Sequence, residues 1–256
     1  GVLFNTDKTE LHIYPAGKAG ANYNIPDSVT KIGNFGGSSS LTSITIPDSV
    51  TSIGEWALAG CTSLTNIKVA TNNSNYRDEA GVLFNKENSI LYQFPLGKSE
   101  NNYTIPEGVT SIGDGAFNTC TNLTRITIPD SVTTIGMRAF EDCGNLASVT
   151  IPDKLLWIGT RAFNNSSSLK SINFEGNAPA LGSHVFKMVS NDARIFINPD
   201  ATGFGEYFGG LPVQILKKKS AIKSFNSHAA PFSLTFETES DSTYIIEASH
   251  DLKKWG

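Results

Sequence analysis

Residues 104–126 read TIPEGVTSIGDGAFNTCTNLTRI, residues 127–149 read TIPDSVTTIGMRAFEDCGNLASV, and residues 150–172 read TIPDKLLWIGTRAFNNSSSLKSI. The three stretches abut without a gap, and each is 23 residues long. Earlier copies start at Asn24 and Thr45, and a diverged copy starts at Asn173. A fixed period of this size predicts a solenoid, in which each unit buries its apolar face only against its neighbours. Residues common to all units are then structural, and function is sought where the units differ.

In the unit from Thr104, apolar residues fall at Ile105, Val109, Ile112, Ala116, Phe117, Cys120, Leu123 and Ile126. Spacings of three and four would suit a helix. The recurring Pro106 and Gly113 both interrupt one, so a three-sided coil fits better. Leu123 to Ile128 reads as a short strand, Pro129-Asp130-Ser131 as a turn, and Val132 to Ile135 as a second strand. Gly136 then permits a bend, and Arg138 to Cys143 makes about one helical turn. Phe117, Phe140 and Phe163 form the inner spine. Asp27, Asp48 and Asp153 read as turn formers, with a calcium site as the minor alternative. Cys61, Cys120 and Cys143 share a column with Ser166. That predicts buried small side chains in preference to a disulfide or a nucleophile.

The pattern I-P-[DE]-x-[VL]-x-x-I-G-x-x-A-F-x-x-C-x-x-L-x-x-[IV] resembles the BspA-like class of bacterial leucine-rich repeat proteins, closely over 24–173 and loosely over 1–215. Leu58 departs from it at the phenylalanine position. The unit from Asn24 is two residues short, with Gly36-Gly37 where Ala-Phe is expected. The resemblance implies a right-handed, β-rich leucine-rich-repeat solenoid of seven or eight coils, with short parallel strands and one-turn helical segments. It also implies a protein outside the cell or on the bacterial surface that adheres to host, matrix or cell-surface proteins.

A longer period overlies the first. Gly1-VLFN, Tyr14-Pro15, Gly17-Lys18 and Ile25-Pro26 recur, offset by 80 residues, as Gly81-VLFN, Phe94-Pro95, Gly97-Lys98 and Ile105-Pro106. Val82-LF and Ile90-LYQF, joined by Asn85-KENS, read as a β-hairpin that projects from the coil or enlarges one of its turns. The predicted organisation is a solenoid over 1–216, a linker over 217–230 and a truncated β module over 231–256. Hairpin-bearing units occupy 1–23 and 70–103, regular repeats 24–69 and 104–172, and a C-terminal cap 173–216. Phe204, Tyr207 and Phe208 are expected to plug the open end. The opening on a motif repeated internally and the stop at Trp255-Gly256 read as a chain trimmed at both ends.

Composition excludes some classes. Charged residues make up 17% and the net charge is −4, which gives no footprint for nucleic acid or an anionic membrane. No apolar run approaches the ~20 residues needed to span a bilayer. His12, His184, His228 and His250 lie in unrelated contexts, and no zinc, phosphate-loop or hydrolase motif is present. No catalytic residue, metal or cofactor is therefore assigned, and a monomer is expected.

Binding surface remains. Between the inward residues of the first strand, small polar side chains recur: Thr42, Ser43 and Thr45; Thr65, Asn66 and Lys68; Thr124, Arg125 and Thr127; Ala147, Ser148 and Thr150; Lys170, Ser171 and Asn173. As a recognition face, Arg125, Thr127, Ser148, Thr150, Lys170 and Asn173 offer many weak hydrogen bonds to an extended partner, either an extracellular protein or a polysaccharide. As a plain solvated face, the threonines serve β propensity. Sharper outliers are Leu156-Trp157, where other units carry Thr or Ser, and Trp56, where they carry Gly115, Arg138 and Arg161. These aromatics either meet a ligand or are covered internally, Trp56 by the 81–95 hairpin and Leu156-Trp157 by the C-terminal module. Ice binding by the threonine column and an unrecognised enzyme complete the alternatives.

Overall fold

Alternation decides the first side of the coil. Along Ser148–Ile151, Val149 and Ile151 are buried while Ser148 and Thr150 are exposed. Successive side chains of a strand point to opposite faces, so the isoleucine column turns in and the hydroxyl column turns out. The computed structural model describes residues 1–216 and the backbone of two further strands, Ile222–Asn226 and Ser233–Phe236. Residues 1–216 form one unit, a β-solenoid of about eight turns, and 217–256 form another.

Strands of the first side stack in parallel with the period of the sequence. Ser148 registers with Ser171, which registers with Arg194. The short unit shows as a closer spacing, with Asn22 opposite Ser43. The second side stacks Ser111–Ile112, Thr134–Ile135, Trp157–Ile158 and Ala180–Leu181, also in parallel. Phenylalanine rings fill the interior. Phe117 and Phe140 lie 5.0 Å apart at 12°, and Phe140 and Phe163 lie 5.1 Å apart at 7°. The stack continues to Phe94 at one end and Phe186 at the other.

The third side corrects an expectation: no helix occurs among the described residues. Arg138–Cys143 is a succession of turns, with left-handed backbone at Arg138 (φ 55°) and Asp142 (φ 61°). Two left-handed residues four apart cannot lie in one right-handed helix. The amides follow two paths. Ala116, Asn118 and Cys120 donate three residues back, to Gly113, Gly115 and Phe117. Gly115, Phe117 and Thr119 donate to Met137, Ala139 and Glu141 of the next coil. Alternate amides thus bind neighbouring coils, which replaces the i→i−4 ladder and satisfies the buried backbone.

Two further readings change. Gly136 serves close approach and has no bend to make. Its φ is ordinary, and a Cβ there would stand 2.5 Å from Asp114 Oδ1 and 2.7 Å from the Gly113 carbonyl carbon. In the short unit the two-residue loss falls between Gly33 and Phe35, so Phe35 itself fills the phenylalanine column. It stacks 5.1 Å from Tyr14, as Phe117 does 5.2 Å from Phe94.

The hairpin does not project. Ile90–Gln93 pairs antiparallel with Val82–Asn85 and in parallel with Ser111–Ile112, so it is itself the second side of an enlarged turn. A third strand, Tyr76–Glu79, extends it. Val82–Asn85 is buried on both faces. Val82 and Phe84 pack with the core running on to Ile197, and Leu83 packs with the core of residues 11–76.

At the far end, Phe204 and Phe208 pack edge-on against Phe174 and close the core. Tyr207 does not join them. It is 67% exposed, because neighbouring residues of the Tyr207–Phe208 strand face opposite ways. The stretch read as a linker contains the strand Ile222–Asn226, antiparallel to Ser233–Phe236. Its isoleucine and phenylalanine carry β propensity that the reading of 217–230 overlooked. The rest of the β module expected over 231–256 lies outside the described residues.

Candidate binding surface

Four of the nine predicted residues come together. Arg125, Thr127, Ser148 and Thr150 line one open groove of about 520 Å³, with Glu107, Asp130 and Glu175 along its other border. The groove runs across the strand ends Arg125–Thr127 and Ser148–Ile151 to the following turns. Lys170 and Asn173 stand on the next coil, Asn173 in register with Thr150, and neither lines the groove.

Hydrogen bonding divides the outward hydroxyls into two sets. Thr42, Thr65 and Thr124 donate to backbone carbonyls of the preceding coil, Thr124 to Asn101 at 3.0 Å. Those side chains extend the ladder. Thr127, Ser148 and Thr150 have no partner among the described residues. They are donors and acceptors held at strand spacing and open to solvent.

Sequence reasoning missed the carboxylates. Glu107 and Asp130 belong to the I-P-[DE] turn, where the acid was read as a turn former, with calcium as the minor alternative. Turn closure runs from the Val132 amide to the Pro129 carbonyl at 3.0 Å, leaving the carboxylate outside that bond. Glu175 stands where the other units have proline, a departure from the repeat that could have drawn attention to it. With three carboxylates against Arg125, the groove is acidic. No group of three or more His, Cys, Asp or Glu that could hold a metal occurs among the described residues.

A similar groove of about 730 Å³ crosses the first coils, lined by Asn24, Asp27, Thr45, Asp48 and Ser49. It has no basic residue in its lining. The groove is therefore a product of the repeat, and Arg125 and Glu175 are what individualise the second one.

The aromatic outliers lie elsewhere. Trp56 takes the left-handed backbone of its column (φ 60°) and is half-buried. Its ring lies against Gly115, where any Cβ would collide with it. The Arg138 guanidinium sits 5.6 Å from its centroid, within cation–π range. Tyr92 and Gln93 of the hairpin line an open cavity together with Trp56. Arg138 Nε is 3.4 Å from the buried Glu141 carboxylate, which accepts a 2.8 Å hydrogen bond from Asn164. Trp56 is thus the end of an internal brace. Leu156 and Trp157 are 69% and 41% exposed on the second side, and the covering expected from the C-terminal module falls outside the described residues.

The cysteines are buried. Burial pushes the Cys120 thiol up to about 12 and Cys143 well above its ordinary value, so neither is a ready thiolate. Cys143 donates to the Phe117 carbonyl and Ser166 to the Phe140 carbonyl, at 3.2 and 2.8 Å. The column selects a small donor as well as a small volume.

The family model of the BspA type leucine-rich repeat region matches the sequence in six copies, over residues 20–91 and 90–208. The chain belongs to the BspA-type leucine-rich repeat family. It is similar to a leucine-rich repeat protein from Eubacterium ventriosum ATCC 27560, at 31% identity and a TM-score of 0.61, covering 70% of this chain and 49% of that one. The pneumococcal vaccine antigen PcpA shares the fold at 21% identity and a TM-score of 0.52, covering 77% of this chain and 63% of PcpA. The chain thus spans about half the length of the first and under two thirds of the second. No curated protein sequence matches it. No helix among the described residues is long and apolar enough to cross a membrane.

Proposed function

We propose that this BspA-type repeat is a non-enzymatic binding module, outside the cell or on the bacterial surface, that engages an extracellular host or matrix protein along its strand face. One observation carries the reading: Thr127, Ser148 and Thr150 present unpartnered hydroxyls in an open groove bordered by Glu107, Asp130 and Glu175. A stacked scaffold holds these groups without rearrangement. The acidic border suits a basic, extended segment of a protein and disfavours an acidic glycan.

The test is binding of the chain to a panel of matrix proteins, repeated with Glu175→Lys and Asp130→Lys. Affinity for a basic ligand should fall at least tenfold and lose its salt dependence. Unchanged binding would move the site off this groove. A second reading rests on the exposed Trp157, whose ring could stack on a neutral polysaccharide. A glycan array with Trp157→Ala separates the two.

A further inference from the structure

The two hairpin-bearing units share their residues and differ in their surroundings. In the internal unit, Leu83 is 1% exposed and Leu96 6%. The coil and strand over 45–80 cover Leu83, with Tyr76–Glu79 paired antiparallel to Val82–Asn85, while Leu96 packs with the core that runs on to Ile197. Backbones meet closely there. A Cβ at Gly97 would strike the Ser63 carbonyl, and one at Gly81 would stand 2.5 Å from Asn66 Oδ1.

In the first unit the same face is bare. Leu3, the counterpart of Leu83, is 55% exposed, and Ile13 is 47% exposed. Among the described residues, Leu3–Phe4 ends its sheet, paired only with Glu10–Ile13. Val2 and Phe4 already pack on the chain's own core, so Leu3 faces away from it. Gly1 and Gly17 have no atom within 4 Å of a Cβ position. No neighbour among the described residues requires glycine at 17, whereas its counterpart Gly97 is required by close approach.

We propose that Leu3, Ile13, Ala16 and Gly17, with the open edge of Leu3–Phe4, form a docking surface for one further coil of the 45–80 kind, ending in an antiparallel strand like Tyr76–Glu79. The occupant is identified by the internal copy, where the same motif in the same chain already carries that coil. Edge pairing supplies the main-chain hydrogen bonds, and Leu3 and Ile13 supply the apolar contact.

The test uses the full chain and a version with residues 24–80 duplicated ahead of Gly1, so that Ala80 precedes Gly1 as it precedes Gly81. Leu3→Asp should lower the Tm of the full chain by less than ~1 °C and that of the extended chain by more than ~5 °C. Amide exchange at Leu3 and Phe4 should slow at least ~10-fold in the extended chain. Equal effects of Leu3→Asp in both chains, or unchanged exchange, would overturn the proposal. Sedimentation of the unextended chain needs no new fold. A monomer leaves the face open as proposed, and a dimer that Leu3→Asp dissociates would overturn it by assigning the face to a second copy.

Discussion

The coils over 104–197 and the junction over 52–97 belong to one solenoid, yet they hold together differently. In the regular stack each column meets itself: ring on ring, glycine on glycine, and a small donor at 143 or 166 on the carbonyl one coil back. At the junction the ladder breaks and side chains take its place. The Ile53 amide donates to the Tyr76 hydroxyl at 3.1 Å, and the Val69 amide to Asp78 Oδ1 at 2.8 Å. Side-chain oxygens of the inserted unit thus take up backbone amides that the next coil would otherwise bind. Trp56 lies against Gly115 and Arg138 of later coils.

The largest test breaks the regular stack. Phe140→Ala removes a ring with no exposure and should cost ~3–5 kcal/mol, read from denaturant unfolding. Alkaline pH attacks the same interior. Cys120 is raised by burial from 9.0 to about 12, so the folded state keeps a proton that the unfolded state releases. Stability should be full below pH 9 and fall as pH rises toward 12. Cys120→Ser, which has no such titration, should flatten that fall.

The next tests sharpen the contrast at one column. Gly115→Arg installs the residue found at 138 and 161, but must displace the Trp56 ring, and should cost ~1–3 kcal/mol. Adding Trp56→Gly should recover most of it. Arg138→Met removes the contact with Trp56 and leaves Glu141 without its cation. About 1 kcal/mol is expected, while Arg161→Met, at the same position in the next coil, should change stability by less than ~0.5 kcal/mol. Smallest of all, Trp157→Ala should leave the Tm within about a degree, since the ring is 41% exposed.

Much of this was legible from residues 104–172 alone, because a repeat forces each column to share one environment. The inward isoleucines, the phenylalanine spine and the buried cysteine column all follow from that constraint. The third side was misread as helical because Ala139, Phe140 and Cys143 have helical spacing. The left-handed residues that break it, Arg138 and Asp142, look ordinary in sequence. The groove was half legible. Arg125, Thr127, Ser148 and Thr150 stood out as outward strand residues, while Glu107, Asp130 and Glu175 lie in turns.

By itself the sequence determined the coil, because period and alternation are local properties of a chain that packs only on itself. Tertiary structure decided which outward groups are spent and which are free. Thr124 and Thr127 are both exposed threonines of one strand region, yet only Thr124 reaches a carbonyl of the preceding coil. It also decided the fate of the aromatics. Trp56 is braced by residues far along the chain, and among the described residues nothing braces Trp157 in that way, a difference set by what stacks beside each ring and by nothing in the unit that contains it.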